Sequence, residues 1–219
     1  MHSHAQSNSS SNWKLVKNQN DIKIYLRKHH SSSLKEALGV MKMKTHLCSI
    51  IALLKDTQNH KSWLFANKSS KILKHYNDSE WILYTQSEAP WPILDRDLIS
   101  HTRMYQNENN CEIKIKSYAV PNYIKKEDGL VRIEEMNSEW TFTPLADGYV
   151  EIRFNILINL GGALPVWLTN FAVDKGPYNT LLKMKKALSD KKYQEATLPY
   201  IKENCQECSY STNKSTNTF

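Results

Sequence analysis

Residues 91–99 read Trp-Pro-Ile-Leu-Asp-Arg-Asp-Leu-Ile and follow directly after Pro90. Pro90 and Pro92 each fix a backbone φ angle and lack an amide hydrogen, so the surrounding residues 88–94 cannot belong to a central strand. Apolar and polar residues alternate again from Leu98 onward, which is typical of a strand. This stretch therefore predicts a bend that crosses the edge of a sheet and then leads into one of its strands.

The charged side chains within the bend suit a structural role. Arg96 lies between Asp95 and Asp97, and its planar guanidinium can donate several hydrogen bonds to carboxylates or backbone carbonyl groups. We expect Arg96 to form a salt bridge that ties the bend to a neighbouring loop, and Asp97 to share this structural role. No known catalytic motif places an acid, a base and an acid between a double-proline bend and a strand.

Strands are predicted on both sides of the bend, because apolar and polar residues alternate there as they do in a half-buried sheet. Turn-forming residues such as Asn77 and Asp128 separate these strands. In the last of them, Ile152, Phe154 and Ile156 would face a buried side while their neighbours face water. The predicted strands are residues 22–27, 34–43, 72–76, 81–87, 98–105, 111–119, 131–142 and 149–158.

Helical periodicity occurs in two places. A short helical insert is predicted for residues 47–54, where the apolar spacing changes to about 3.6 residues. A long helix is predicted from Pro165 to about residue 192, with a length of roughly 40 Å. Such a helix can cover the buried face of a curved antiparallel sheet, and a sheet that curls around one helix leaves room for an internal apolar cavity. A tightly packed core without a cavity is the alternative.

The charge and length of the chain limit its partners. A chain of 219 residues is long enough for one domain, and a net charge of +7 favours acidic partners. The longest apolar runs are too short to cross a bilayer. Several lysines lie late in the chain, and either a solvated helix face or transient contact with an anionic membrane surface would explain them. Nucleic acid is disfavoured as a partner, because no known nucleic-acid-binding motif accompanies the positive charge. The late lysines are Lys183, Lys185, Lys186, Lys191, Lys192 and Lys202.

The four cysteines are too few and too scattered to predict a disulfide framework. Cys48 and Cys111 lie in apolar patterns, where small buried side chains are expected. Cys205 and Cys208 have the C-x-x-C spacing of redox or metal sites, but no second pair of ligands accompanies them. Neither a metal nor a cofactor is therefore expected, and Cys205 and Cys208 are left without an assigned role.

Composition divides the chain into three parts. Residues 1–12 are rich in serine and lack periodicity, which indicates a disordered lead or an expression remnant. Residues 13–204 hold the predicted elements and form one domain, and residues 205–219 form a polar tail. A cytoplasmic location is the default expectation, but residues 3–5 have the small-x-small form of a cleavage site. If an upstream signal segment was removed, the protein would be exported or periplasmic.

Several short motifs occur in a fixed order along the chain. They are Trp13 followed by Ile22, Ile24, Tyr25 and Arg27, then Trp63, residues 91–99, Leu-Val-Arg-Ile at 130–133 leading to Trp140, and Gly-Gly-Ala-Leu-Pro-Val-Trp-Leu-Thr-Asn at 161–170. In this order they resemble the START family, the steroidogenic acute regulatory-related lipid-transfer domains, over about residues 13–204. The resemblance implies an α+β helix-grip fold, in which a curved antiparallel β-sheet wraps around a long C-terminal α-helix and encloses an internal apolar cavity.

The resemblance also implies a function and a lid. Domains of this family bind one lipid in a tunnel between the sheet and the final helix, and carry it between membranes or to a partner without catalysing a reaction. In this family the loop that precedes the strand at Leu130 covers the mouth of the tunnel. The corresponding loop in this sequence begins at Pro121, contains Tyr123 and ends at Gly129.

The residues at the corresponding positions disfavour a choline phospholipid. Family members that bind phosphatidylcholine have aromatic cage residues where this chain has Thr85, Leu98 and Met136, and none of these can stack on a quaternary ammonium. The arginine that those members offer to the phosphate corresponds to His60, which is at best partly charged near neutral pH.

A sterol is disfavoured as well. Sterol-binding members have a buried acid–arginine pair, and the two corresponding positions are Leu83 and Thr102. An apolar ligand with a small neutral head group is therefore favoured, in a wall of apolar side chains and scattered hydroxyl groups. The predicted ligand-binding residues are His60 as a polar contact and, along the wall, Leu83, Thr85, Leu98, Thr102, Met136, Trp140, Phe154, Leu168 and Phe171.

An enzyme is the main alternative, because cyclases and hydrolases with the helix-grip fold use the same cavity for chemistry. Of the internal histidines His60, His75 and His101, only His60 is expected to approach the cavity. Glu134 and Glu135 are neighbours in a predicted strand, so they point to opposite faces and cannot act as a catalytic pair. No catalytic residue is therefore assigned. A ligand-sensing module that does not transfer its ligand is the third hypothesis.

Overall fold

The computed structural model describes residues 12–29, 34–162, 164 and 166–205, without the side chains of residues 166–172 and 174. The strands in this part are β1 (Lys14–Gln19), β2 (Ile22–Lys28), β3 (Lys35–Lys44), β4 (Asn67–Asn77), β5 (Glu80–Ser87), β6 (Asp95–Gln106), β7 (Ile113–Ala119), β8 (Leu130–Arg132), β9 (Glu135–Pro144) and β10 (Tyr149–Asn159). The α-helices are α1 (Leu47–Lys55), α2 (His60–Trp63), α3 (Val166–Ala187) and α4 (Lys191–Gln194), with 3-10 turns at Thr57–Asn59 and Ala146–Gly148.

The strands form one sheet in the order β1-β2-β3-β10-β9-β7-β6-β5-β4. Neighbours along this order run antiparallel, and the short strand β8 pairs in parallel with the first residues of β6. Helix α3 packs against β2 and β3. Within the described residues, no helix is both long enough and apolar enough to cross a membrane. The predicted α+β fold, a large antiparallel sheet with a C-terminal helix packed on it, is confirmed.

One of the predicted strands is wrong. Residues 131–142 form two strands, because the chain leaves the sheet after Arg132 and re-enters it beside other neighbours at Glu135. At the break, the backbone amide of Ile133 still donates to the carbonyl oxygen of Asp97 in β6. Strand β1 is not predicted from the sequence, because its residues are almost all exposed and show no alternation.

Helix α3 approaches strand β3 closely at Gly39. A Cβ atom at this position would lie 2.5 Å from Cδ1 of Leu181 and 3.3 Å from Cδ1 of Ile24. Ile24 and Leu181 are fully buried, as is Ile22 beside them. The missing side chain at position 39 therefore allows the helix to pack directly on the sheet, since a bulkier residue would have to displace one of these core side chains.

The chain after α4 returns to the start of α1. Glu203 accepts hydrogen bonds from the backbone amides of Leu47 and Cys48, at 3.0 and 2.7 Å. These are amides at the N-terminus of a helix, which lack acceptors within the helix and favour a negative charge. Burial, followed by the hydrogen bond with Glu203, raises the pKa of the Cys48 thiol to about 11. The returning segment thus caps α1 from a distant part of the sequence.

A disulfide bond joins Cys111, in the turn before β7, to Cys205 in the returning segment. The two Cα atoms are 5.4 Å apart, and 94 residues separate the two cysteines in sequence. Beside the bond, the side chain of Gln106 and the backbone of Lys202 exchange two hydrogen bonds. Cys111 is a buried side chain, as expected, and is 1% exposed. Its bond to Cys205 is not predicted, because a pairing over this separation leaves no local pattern. Cys208 lies outside the described residues.

Candidate functional site

A cavity of about 920 Å³ lies between the inner face of the sheet and the helices α2 and α3. This volume is near the upper end of the range for small-molecule sites, about 300–1,000 Å³. Alternate residues of five strands face it, because successive side chains of a strand point to opposite sides. The wall is mostly apolar. Its strand residues are Trp81, Leu83, Thr85, Ser87, Arg96, Leu98, Ser100, Thr102, Ile115, Ser117, Met136, Ser138, Trp140, Phe154, Ile156 and Ile158.

The structure brings eight of the predicted ligand-binding residues to this wall. Most of them lie on strands at positions whose parity faces inward. Leu168 and Phe171 belong to α3, but their side chains lie outside the described residues. Contact between a ligand and any of these residues stays a prediction. The eight residues at the wall are His60, Leu83, Thr85, Leu98, Thr102, Met136, Trp140 and Phe154.

Stacked aromatic rings form one side of the wall. The rings of Trp140 and Phe154 are nearly parallel, with centroids 4.0 Å apart and planes at 13°. Trp140 also stacks on Phe142 at 5.8 Å and meets Trp63 edge-on at 6.5 Å. Aromatic pairs of this kind contribute about 0.5–1.5 kcal/mol beyond the area they bury. The cluster therefore gives the cavity a firm apolar surface, suited to a hydrocarbon chain or ring system.

Hydroxyl groups interrupt the apolar wall in a row that crosses three strands. Thr102, Ser117 and Ser138 are cross-strand neighbours in β6, β7 and β9. The hydroxyl oxygens of Thr102 and Ser117 are 2.9 Å apart, so one donates a hydrogen bond to the other. Ser117 and Ser138 are missing from the predicted wall, although the alternation that places Ile115 and Trp140 inside places them there too. The row offers donors and acceptors to a polar part of a ligand.

Two buried ring nitrogens lie on the α2 side of the cavity. His60 is 3% exposed, and its Nε2 lies 2.9 Å from the carbonyl oxygen of Leu54, so Nε2 carries the proton in the neutral ring. Nδ1 of His60 is then a hydrogen-bond acceptor. The indole N–H of the neighbouring Trp63 is a donor. Neither atom has a hydrogen-bond partner among the described residues. A ligand hydroxyl or amide group in the cavity would satisfy such atoms.

His60 makes the stability of the fold depend on pH. Burial lowers its pKa from the ordinary value of about 6.5, and the hydrogen bond to Leu54 and the nearby Asp56 offset only part of this effect. Below about pH 6.5 the unfolded chain therefore binds a proton more readily than the folded chain, and stability falls until the folded-state pKa is reached. Between about pH 7.5 and about pH 5.5, we expect the melting temperature of the wild type to fall more than that of His60→Gln. Equal slopes in the two proteins would contradict this expectation.

Arg96 also lies in the cavity wall, and the salt bridge predicted for it is not formed with any of the described residues. Its side chain faces the cavity with that of Leu98, and the residue is 6% exposed. Its Nη1 donates to the carbonyl oxygen of Leu94, so Arg96 does tie the bend. Neither flanking carboxylate pairs with it, because adjacent strand residues point to the opposite face. Burial lowers the pKa of Arg96, an effect that the charge of Asp95 opposes.

On the outer face, Asp97 forms an ion pair with Arg132 of β8. Nε and Nη2 of Arg132 donate to the two carboxylate oxygens, each at 2.8 Å, and the side chains are 0% and 1% exposed. This hydrogen bonding raises the pKa of Arg132. Arg132 also donates to the backbone carbonyl oxygens of Pro121, Ile124 and Lys125. The buried pair therefore fixes the start of the loop 121–129 against the sheet.

The anchored part of the predicted lid loop lies on the outer face of the sheet. Ile124 packs there against a small cluster that includes Tyr84 and Ile99, whose side chains point away from the cavity. A gating role for this loop stays a prediction. The residues singled out in it do not line the cavity; they are Pro121, Tyr123 and Gly129.

The opening of the cavity lies beside the double-proline bend. Among the lining residues, Glu88, Pro90 and Lys183 are exposed, which marks where the cavity meets the solvent. In the same bend Trp91 is 93% exposed and Leu94 54% exposed. The stretch that predicts the bend therefore also forms part of the rim of the cavity.

Comparisons with known proteins agree with this architecture. The chain matches the family model for the START domain over residues 3–193. A protein of Pseudomonas aeruginosa that is described as uncharacterized is 31% identical over 175 residues, which cover 80% of this chain and 86% of that protein. The phosphatidylcholine transfer protein of Mus musculus is 23% identical over 189 residues, which cover 82% of this chain and 85% of that protein.

Solved structures show the same fold. A STAR-related lipid transfer protein fragment from Xanthomonas axonopodis matches with a TM-score of 0.75 and 31% identity, over 81% of this chain and 99% of that chain. The human StAR-related lipid transfer protein 5 matches with a TM-score of 0.72 and 16% identity, over 83% of this chain and 88% of that chain, which bears on the fold alone. Because the family model covers most of the sequence, the chain belongs to the lipid-binding START domain family.

Proposed function

We propose that this protein binds one lipid in the cavity between the sheet and α3, and carries it between membranes or to a partner without changing it chemically. The observation that carries the proposal is the cavity, with about 920 Å³ of space behind a mostly apolar wall. Protein interiors are normally packed with few voids larger than a water molecule, so a space of this size indicates room for a ligand.

The rim of the cavity supports exchange of the ligand with a membrane. Trp91 is 93% exposed, and the preceding residues Ala89 and Pro90 line the cavity. An exposed tryptophan partitions into the interface of a bilayer, where its ring is buried and its N–H group stays near water. A lipid that enters beside the bend would therefore pass from the membrane into the cavity with little exposure of its apolar part.

The late lysines support contact with an anionic membrane less than their number suggests. Lys192 pairs with Asp56 at 2.6 Å, and Lys185 pairs with Asp21 at 3.3 Å. Lys183, in contrast, is exposed on the rim of the cavity. A lysine close to an anionic surface contributes about 1 kcal/mol to binding. We therefore place the transient membrane contact at the rim, around Trp91 and Lys183.

The arrangement of titratable groups favours a carrier over an enzyme. Among the described residues of the wall, His60 is the only histidine and Glu88 the only carboxylate. His60 is the buried first residue of α2, whereas Glu88 is exposed on the rim. Acid–base catalysis needs its groups within hydrogen-bond reach of one reacting centre. A buried base and an exposed acid in these surroundings support a binding site more than a catalytic one.

Filling the cavity is expected to block binding. Leu98→Trp and Thr85→Trp should each reduce lipid occupancy at least about tenfold, because an indole would take the space of the ligand. Both positions border open volume, so the larger side chain does not have to displace a packed neighbour. Native mass spectrometry of the purified protein measures the occupancy, and extraction of the bound molecule identifies it.

Tyr105→Trp is the matched control for these variants. Tyr105 lies on the same strand as Leu98 but is 53% exposed and has the opposite parity, so the added bulk stays outside the cavity. This control should keep the wild-type occupancy, and all three variants should keep a cooperative thermal transition. Wild-type occupancy in both cavity variants would show that the ligand binds elsewhere.

A further inference from the structure

The proposed lipid-binding cavity contains a buried cation whose charge is not balanced by the described residues. Arg96 is 6% exposed, and its side chain lies in the cavity wall. Its Nη1 donates to the backbone carbonyl oxygen of Leu94, which is a neutral acceptor. Its Nε is buried and has no hydrogen-bond partner among the described residues. The guanidinium thus has donors to spare on the inner side of the sheet.

The carboxylates next to Arg96 in sequence are engaged elsewhere. Asp97 accepts two hydrogen bonds from Arg132 on the outer face, each of 2.8 Å. Asp95 accepts hydrogen bonds from Lys68, at 2.8 Å, and from the backbone amide of Ala89, at 3.1 Å. An arginine keeps its charge even when it is buried, and a buried charge without a counter-ion is strongly destabilising. A ligand in the cavity is a source of the missing negative charge.

The surroundings of Arg96 suit an oxyanion. Ser87 is its cross-strand partner in β5, and both Ser87 and Thr85 line the cavity with hydroxyl groups that can donate hydrogen bonds. Glu88, which lines the same end, is exposed on the rim and forms no ion pair with Arg96. A planar guanidinium matches the two oxygens of a carboxylate or a phosphate, which a single ammonium group does not.

We propose that the ligand of this cavity is an amphiphile with an oxyanion head group, a carboxylate or a phosphate, and that Arg96 binds the oxyanion. This inference rests on the proposed lipid-binding function and adds the chemical class of the head group. Arg96 and Ser87 flank the double-proline bend, so the head group lies near the opening and the apolar tail extends toward Trp140 and Phe154. This inference differs from the expectation drawn from the sequence, which favours a neutral head group.

Displacement of a neutral fluorescent probe, N-phenyl-1-naphthylamine, from the delipidated protein tests the proposal. Oleate and oleoyl lysophosphatidate should displace the probe at concentrations about 10- to 100-fold lower than oleyl alcohol, which has the same chain length without the charge. The better of the two acidic amphiphiles identifies the head group as carboxylate or phosphate. Inorganic phosphate and acetate should not displace the probe, because they lack the apolar tail.

Substitution of Arg96 separates charge from shape. Arg96→Met has a similar length without the charge, and it should remove the preference for acidic amphiphiles while leaving the affinity for oleyl alcohol within about twofold. Arg96→Lys keeps the charge but not the planar fork, so it should keep part of the preference. The matched control is Arg103→Met, since Arg103 lies on the same strand but is exposed and pairs with Glu80. This control should keep the full preference.

The possible results separate a failure of the lipid-binding function from a failure of the head-group inference alone. If the wild type binds neither the probe nor a co-purified lipid, the lipid-binding function fails. If the probe binds but oleyl alcohol competes as well as both acidic amphiphiles, or if Arg96→Met keeps the preference, only the head-group inference is overturned. Equal displacement by inorganic phosphate would assign Arg96 to a free anion and also overturn it. If Arg96→Met does not fold, the wild-type comparison with oleyl alcohol decides.

Discussion

Asp97→Asn is expected to lower the free energy of unfolding by about 3–5 kcal/mol. The side chains of Asp97 and Arg132 are 1% and 0% exposed, and an asparagine keeps the shape of the carboxylate but leaves the arginine charge buried without a counter-ion. The loss should extend to the outer loop, because Arg132 also binds the carbonyl oxygens of Pro121 and Ile124. Chemical denaturation of the variant and the wild type measures the difference.

The neighbouring carboxylate provides the control for this prediction. Asp95 pairs with Lys68 at 2.8 Å, but the lysine side chain is 55% exposed, and surface ion pairs contribute only about 0–1 kcal/mol. Asp95→Asn should therefore cost about 1 kcal/mol or less. Equal losses of unfolding free energy in the two variants would show that the contribution of the Asp97–Arg132 pair to stability does not depend on its burial.

Cys205→Ser should lower the free energy of unfolding by about 2–5 kcal/mol, with a melting temperature lower by about 5–15 °C. The bond to Cys111 links residues separated by 94 positions, so its loss greatly enlarges the set of conformations open to the unfolded chain. The released segment also carries Glu203, which caps α1. Thermal unfolding with and without dithiothreitol measures the effect.

Dithiothreitol and the remaining cysteine provide the controls. The wild type in dithiothreitol should melt at the temperature of Cys205→Ser, whereas the reductant should leave that variant unchanged. Cys208→Ser keeps both partners of the bond and should behave as the wild type does under both conditions. A wild-type protein whose melting temperature does not respond to reductant would argue against the Cys111–Cys205 bond.

Local alternation was sufficient to predict most of the sheet, because it depends only on neighbouring residues. The last predicted strand, 149–158, differs from β10 by one residue at its end. The family positions placed Leu83 and Thr85 at the cavity wall, and the strand parity, which puts both residues on one face, agrees with this placement. The break after Arg132 could not be predicted in this way, because the apolar pattern continues through Ile133 while the pairing partner of the chain changes.

The polar features of the site depend on partners that are distant in sequence. The acids that flank Arg96 suggest an ion pair, but the parity that places Leu98 inside also places Arg96 inside and its acidic neighbours outside. The sequence thus contains a signal for the position of Arg96, but the attraction between neighbouring charges predicts an ion pair instead. No such signal exists for the bond between Cys111 and Cys205, because only the folded chain brings them together.

The place of β10 in the sheet has a consequence for the order in which the chain assembles. This strand, Tyr149–Asn159, pairs with β3 on one side and β9 on the other, and within the described sheet it is the sole link between β1–β3 and the remaining strands. During synthesis the first three strands therefore leave the ribosome long before the strand that completes their sheet. Until then β3 presents an unpaired edge that favours association with other chains. Protection of this edge during synthesis therefore favours folding of the chain over its association with other chains.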